Sequence, residues 1–198
     1  MLAETIHSDA CHKASGLEEI FAENFYSAYK TCLVGGAAEP LYTPAINADD
    51  KSRIYYREDF FASALHEISH WCIAGDKRRL QEDFGYWYVE DGRGDTDQAA
   101  FESVEVKPQA LELLFSLAAN YRFQISVDNL NGSTKSVEQF QQTVFQQALF
   151  YCNNGLPHRA SIFFKALCEH YKGLSITEIT EFLKSHQITE PARPIERI

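Results

Sequence analysis

Apolar positions return every third or fourth residue through Leu17, Ile20, Phe21, Phe25, Tyr29 and Leu33, which predicts a first helix stopped by Gly35 and Gly36. Residues 1 to about 15 before it read as a polar lead-in. From Glu39 to Ser52 the pattern breaks at Pro40, Pro44 and Asp49-Asp50, which predicts a loop, and the following RIYY is a short β-prone run. Helical spacing resumes with Asp59 as N-cap and Gly75 as stop, burying Phe60, Phe61, Ala64, Leu65, Ile68 and Trp71. Between Asp76 and Asp97 the chain turns basic (Lys77, Arg78, Arg79), then aromatic (Phe84, Tyr86, Trp87, Tyr88), then acidic and glycine-rich, as expected of a loop with functional side chains. A long helix is predicted over about 98–119, bent or restarted near Pro108 because proline removes one ladder bond and clashes a turn back. Three more helices, over about 137–152, 160–171 and 177–185, precede the polar tail EPARPIERI. The pattern predicts a mainly α fold with a small β element (α+β). It also predicts a single compact domain over 1–198 with flexible ends at 1–15 and 190–198.

Composition narrows the classes. A chain of 198 residues is long enough for one full core and short for two. Hydrophobic residues at 45% and charged residues at 23% match an ordinary globular domain, and 14 Phe with 10 Tyr predict an aromatic core. The net charge of -10 repels phosphate backbones, so nucleic acid is not an expected partner. No run approaches the roughly 18 apolar residues of a membrane helix, and the start MLAETIHSDACHKASG lacks an export signal, so no membrane role is expected. The cysteines Cys11, Cys32, Cys72, Cys152 and Cys168 are scattered and odd in number, which suits a reducing cytoplasm better than a disulfide framework.

The chemistry concentrates in HEISH, residues 66–70. Residues four apart share one helix face with side chains roughly 5–6 Å apart, so His66 and His70 can direct imidazole nitrogens at one metal ion about 2.1 Å from each. Glu67, on the rim of that face, can act as acid or base on metal-bound water without displacing a ligand. At this chain's His and Glu frequencies, chance yields HExxH in roughly two per cent of such sequences, and here it falls inside the best-defined helix. A catalytic site takes a third protein ligand and keeps positions open. AFESVEVKPQALE, on the next helix, offers Glu105, whose apolar neighbours Val104, Val106, Ala110 and Leu111 leave its carboxylate in need of a cation, with Glu102 in reserve. Gln109, one turn on, is placed to accept the outer N–H of a ligand histidine. His7, His12, His158, His170 and His186 stand alone and receive no metal role. Two histidines and one carboxylate suit non-haem iron(II) oxygenases and zinc peptidases alike. The alternatives at this point are an iron oxygenase with O2 as co-substrate, a zinc hydrolase with Glu67 as base and a tyrosine or histidine such as Tyr88 at the oxyanion, and a structural metal module.

HEISHWCIAG, DFGYWY, FESVEVKPQALE, FQISVDNLNG and NNGLPHRASIFFKAL together resemble the bacterial elongation factor P hydroxylase family, over nearly the whole chain. The resemblance implies a zincin-like pair of metal-site helices with ligands that map onto His66, His70 and Glu105. It implies hydroxylation, as the last modification step, of the elongation factor P lysine that already carries a β-lysyl extension, with iron(II) expected as the metal. On that reading Glu90, Asp91, Asp95 and Asp97 could attract a cationic side chain, Tyr86, Trp87 and Tyr88 could line its channel, and Lys77 to Arg79 could meet an acidic partner surface.

Overall fold

The computed structural model describes residues 12–82, 95–126 and 134–186, with side chains for all but 95–103, 134–136 and 186. Helix α1 (Ala14–Tyr29) leads into strand β1 (Thr31–Ala37), followed by β2 (Leu41–Thr43), β3 (Ser52–Arg57) and α2 (Phe61–Ile73). Helices α3 (Asp95–Ala118), α4 (Thr134–Asn154), α5 (His158–Tyr171) and α6 (Ile176–His186) follow, giving the α+β class expected. The three strands form one sheet in the order β1-β3-β2, with β1 parallel and β2 antiparallel to β3.

The first helix is shorter than its periodicity predicts. Lys30 takes the left-handed conformation (φ 46°) and its N–H returns to the carbonyl of Tyr26, closing α1 at Tyr29. Thr31-Cys32-Leu33-Val34 then pairs with β3 in the register Thr31 to Ser52 through Val34 to Tyr55. Leu33 continues the helical spacing from Tyr29, yet Thr31 and Leu33 also fit the alternation of a strand and are both buried. A parallel partner more than twenty residues away decided between the two periods. Gly35 is required there: a Cβ on it would stand 2.5 Å from the Tyr56 hydroxyl. That hydroxyl donates to Glu18 Oε1 at 2.9 Å, and the Gly35 N–H donates to the same oxygen at 3.0 Å, so one carboxylate ties α1 to both strands.

Helix α2 carries the candidate chemistry and packs on β3, α1, α3 and α5. Its cap differs from expectation. The N-cap is Phe60, extended and exposed, while Asp59 lies in the preceding turn and makes no side-chain cap. Phe61, Ala64, Leu65, Ile68 and Trp71 are buried as the periodicity requires, and each large apolar side chain among them contributes about 1.5–3 kcal/mol by leaving water. Trp71 meets Phe21 and Phe25 edge-on, both at 5.0 Å between ring centroids, in the aromatic core that Phe163 extends toward Phe115. At the C-terminal end Arg159 of α5 donates Nη2 to the carbonyls of Trp71 (2.9 Å) and Ala74 and stacks on Trp71 at 4.7 Å, capping the helix with a cation.

Helix α3 runs without interruption through Pro108 instead of restarting there. The expected lead-in is ordered from His12, whose Nε2 bonds the Ala119 carbonyl at 2.8 Å. Among the described residues no helix is long and apolar enough to cross a membrane.

Candidate metal centre

Helices α2 and α3 pack side by side and bring three donors together. His66 Nε2 and His70 Nε2 are 3.1 Å apart, His70 Nε2 is 3.2 Å from Glu105 Oε1, and His66 Nε2 is 3.5 Å from Glu105 Oε2. Donors about 2.1 Å from one ion, spread at tetrahedral or octahedral angles, stand about 3.0–3.4 Å from each other. The triangle therefore fits a single ion and leaves further coordination positions facing away from the protein donors. The imidazoles come from one helical turn, as the spacing of HEISH implies, and the carboxylate comes from the next helix.

The electrostatics around the triangle favour a positive charge. Burial alone would push His66 down, but the hydrogen bond and charge of Glu112, with Glu105 and Glu67 beyond, raise it to about 10. Burial would raise Glu105, but the hydrogen bond and charge of His70, with His66 and Gln109, bring it down to about 2. A proton on His66 thus supplies the positive charge that three surrounding carboxylates demand. Glu67 is pushed up by burial, against the pull of His66 and His70, and a cation alongside favours its charged form.

Support for the donors comes from a feature the sequence reading missed. Glu112 Oε2 accepts from His66 Nδ1 at 2.8 Å, which fixes the ring and points Nε2 at the triangle. That outer N–H had been expected to reach Gln109. Gln109 instead braces the carboxylate: its Nε2 lies 3.4 Å from Glu105 Oε2 and donates to the Ser126 carbonyl at 2.8 Å, while its Oε1 accepts from the Ser126 N–H at 3.1 Å. The signal was present in the sequence. Glu105, Gln109, Glu112 and Ser116 recur at helical spacing and are all buried, a polar stripe on the inner face of an otherwise apolar helix. A buried carboxylate persists only where charge or hydrogen bonds answer it.

Glu67 stands outside the triangle and lines a cleft of about 240 Å³ beside His70. The cleft follows α2 past Trp71, Ile73 and Gly75 to Arg78 and Arg79, with Tyr42 and Ile54 from the sheet and Val104 and Pro108 from α3 as walls. Arg79 is not a loosely solvated charge: it pairs with Asp76, lies over the Tyr29 ring at 5.4 Å, and its carbonyl accepts from the Tyr42 hydroxyl at 2.9 Å. Cys72 is buried in the core, and the thiols of Cys32, Cys72, Cys152 and Cys168 are free. Tyr86, Trp87, Tyr88, Glu90 and Asp91 lie outside the described residues, as do the side chains of Asp95, Asp97 and Glu102.

Comparison with known proteins agrees over most of the chain. The family described as elongation factor P hydroxylase matches residues 20–182, which include all the donors and their supports. The Haemophilus influenzae protein named elongation factor P lysine hydroxylase is 47% identical over 160 residues, spanning 81% of this chain and 90% of that protein. With the match running from the first helix to the last, this chain belongs to the elongation factor P hydroxylase family.

Proposed function

We propose that this protein hydroxylates the lysine of elongation factor P that already carries a β-lysyl group, as the final step of that modification, using one iron(II) ion and O2. The carrying observation is the triangle of His66, His70 and Glu105, 3.1 to 3.5 Å on a side, inside a chain 47% identical to a protein named for lysine hydroxylation of elongation factor P. These three residues would hold the metal, and iron(II) in such a two-histidine, one-carboxylate setting supplies O2 activation and attack on an unactivated C–H bond.

The chain's own residues prepare that chemistry. Glu112 holds His66 in one orientation, and Gln109 does the same for Glu105, so the donors are set before the metal arrives. Glu67 is the catalytic carboxylate of this reading, a hydrogen-bonding group beside the ligands on their cleft side. Ile54, Trp71, Ile73, Val104 and Pro108 give the cleft apolar walls that keep water away from a reactive centre. A translation factor as substrate places the enzyme in the cytoplasm.

The test is a mass measurement on β-lysylated elongation factor P incubated with iron-loaded protein and a reductant under isotopically labelled O2. Gain of one labelled oxygen on the modified lysine is expected. Incorporation from water, or cleavage of peptides by the zinc-loaded protein with loss on Glu67→Gln, overturns the reading in favour of a hydrolase.

A further inference from the structure

The cleft beside the donors is chemically two-ended. At the end next to His70 it presents the Glu67 carboxylate, which no donor reaches among the described residues. The α3 wall at that end adds a second acceptor. Pro108 has no N–H to give the Val104 carbonyl one turn earlier, and Val104 and Pro108 both line the cleft, so the missing ladder bond falls between two residues of its wall. Past the C-terminal end of α2 the lining turns basic with Arg78 and Arg79, the latter with its guanidinium paired to Asp76. Between the ends the walls are largely apolar, formed by Tyr42, Ile54, Ile73 and Ala74.

We propose that this cleft is an amine-recognition site: Glu67 and the Val104 carbonyl receive the ammonium group of the substrate side chain, whose methylene stem lies along Ile54 and Ile73. An ammonium group brings three donors and one positive charge. It finds a carboxylate and a carbonyl at one end and basic residues at the other, so the reversed placement is disfavoured by Arg78 and Arg79. Pro108 acquires a function on this view, since it keeps one carbonyl free where the cleft needs an acceptor. The identity of the amine, the β-lysyl group of elongation factor P, rests on the function proposed above.

The experiment measures binding without turnover. Zinc-loaded protein is titrated calorimetrically with β-lysylated elongation factor P and with the same protein after acetylation of the β-lysyl amines, while hydroxylation by the iron-loaded wild type is followed in parallel. Glu67→Gln keeps the shape and removes the charge, and is expected to weaken binding of the free amine roughly 10–100-fold, as loss of a charge-assisted hydrogen bond does. Pro108→Ala restores the N–H to the Val104 carbonyl and is expected to weaken binding about 2–10-fold. Because alanine is a better helix residue than proline, that variant should melt no lower than wild type. Neither change should alter binding of the acetylated form. Equal affinity of wild type for the free and acetylated forms, or wild-type affinity in both variants, overturns the amine site and leaves the hydroxylase reading intact wherever wild type still hydroxylates. A wild type that neither binds nor hydroxylates the β-lysylated factor overturns both.

Discussion

The residue with the most consequence outside the donor triangle is Glu112, because a histidine ligand is only as well aimed as its second nitrogen is anchored. Glu112→Ala is expected to lower metal affinity about 10–100-fold without changing stoichiometry, read by competition with a chelating dye. Glu105→Ala removes a donor outright, so metal content should fall from one ion per chain to none, whereas Glu102→Ala should retain it. Metal analysis of the two variants decides between the carboxylates the sequence left in competition. Titration gives a separate signature. His66 is raised from 6.5 to about 10 in the metal-free fold, so its protonation contributes stability fully below about 6.5, and the contribution fades as pH climbs toward about 10. Glu105 is lowered from 4.5 to about 2, so its charge contributes above about 4.5 and is lost as pH falls toward about 2. Metal runs the other way for His66, since ligation requires the neutral ring. Metal affinity should rise with pH up to about 10, with close to one proton released per ion bound near neutral pH, measured in two buffers of different ionisation enthalpy.

At the level of elements, the site depends on how α2 and α3 are held against their neighbours. The C-terminal end of α3 is sealed by the turn before α6, where Leu174 donates to the Leu117 carbonyl at 3.1 Å. Gly173 lies so near that a Cβ on it would run into the Ala118 carbonyl, and backbone cannot step aside as a side chain can. Gly173→Ala is therefore expected to cost about 1–3 kcal/mol in chemical denaturation, through overpacking at a position whose backbone angles suit any residue. How far elements could be read in advance varied with their context. Helix α2 was legible through its apolar stripe because its partners surround one face of it. The boundary between α1 and β1 was not, since Leu33 satisfies both periods and only the distant strand Ser52–Arg57 breaks the tie. Strand β2 was hidden for a related reason: three residues between prolines carry no period of their own and become a strand only along the edge of β3.

At the scale of the whole molecule the candidate metal site sits on a core that does not include it. The aromatic cluster of Phe21, Phe25, Trp71, Phe115 and Phe163 is buried independently of the triangle. Chelation is therefore expected to lower the melting temperature by removing a ligand of the native state while leaving the far-ultraviolet helical signal at low temperature unchanged. Loss of helix on chelation would instead mark the ion as structural, as in domains that cannot fold without it. The overall charge of -10 and the negative surroundings of the triangle favour a cation at the centre, and the exposed basic residues Lys77 and Arg78 beside the cleft are a local exception to that field.

Sequence alone settled what depends on spacing within one element: two imidazoles four residues apart share a helix face wherever that helix is placed, and an apolar stripe beside them must find a core. It also put Glu105 ahead of Glu102, because a carboxylate among apolar neighbours needs a cation. What it could not settle were relations between elements distant in the chain. The pairing of Glu112 with His66 spans 46 residues, the bracing of Glu105 by Gln109 runs through Ser126, and the cleft joins sheet, helix and turn. Those contacts are made by packing two helices at one particular offset, and the free energy that selects the offset is spread over the whole core instead of residing in any local pattern.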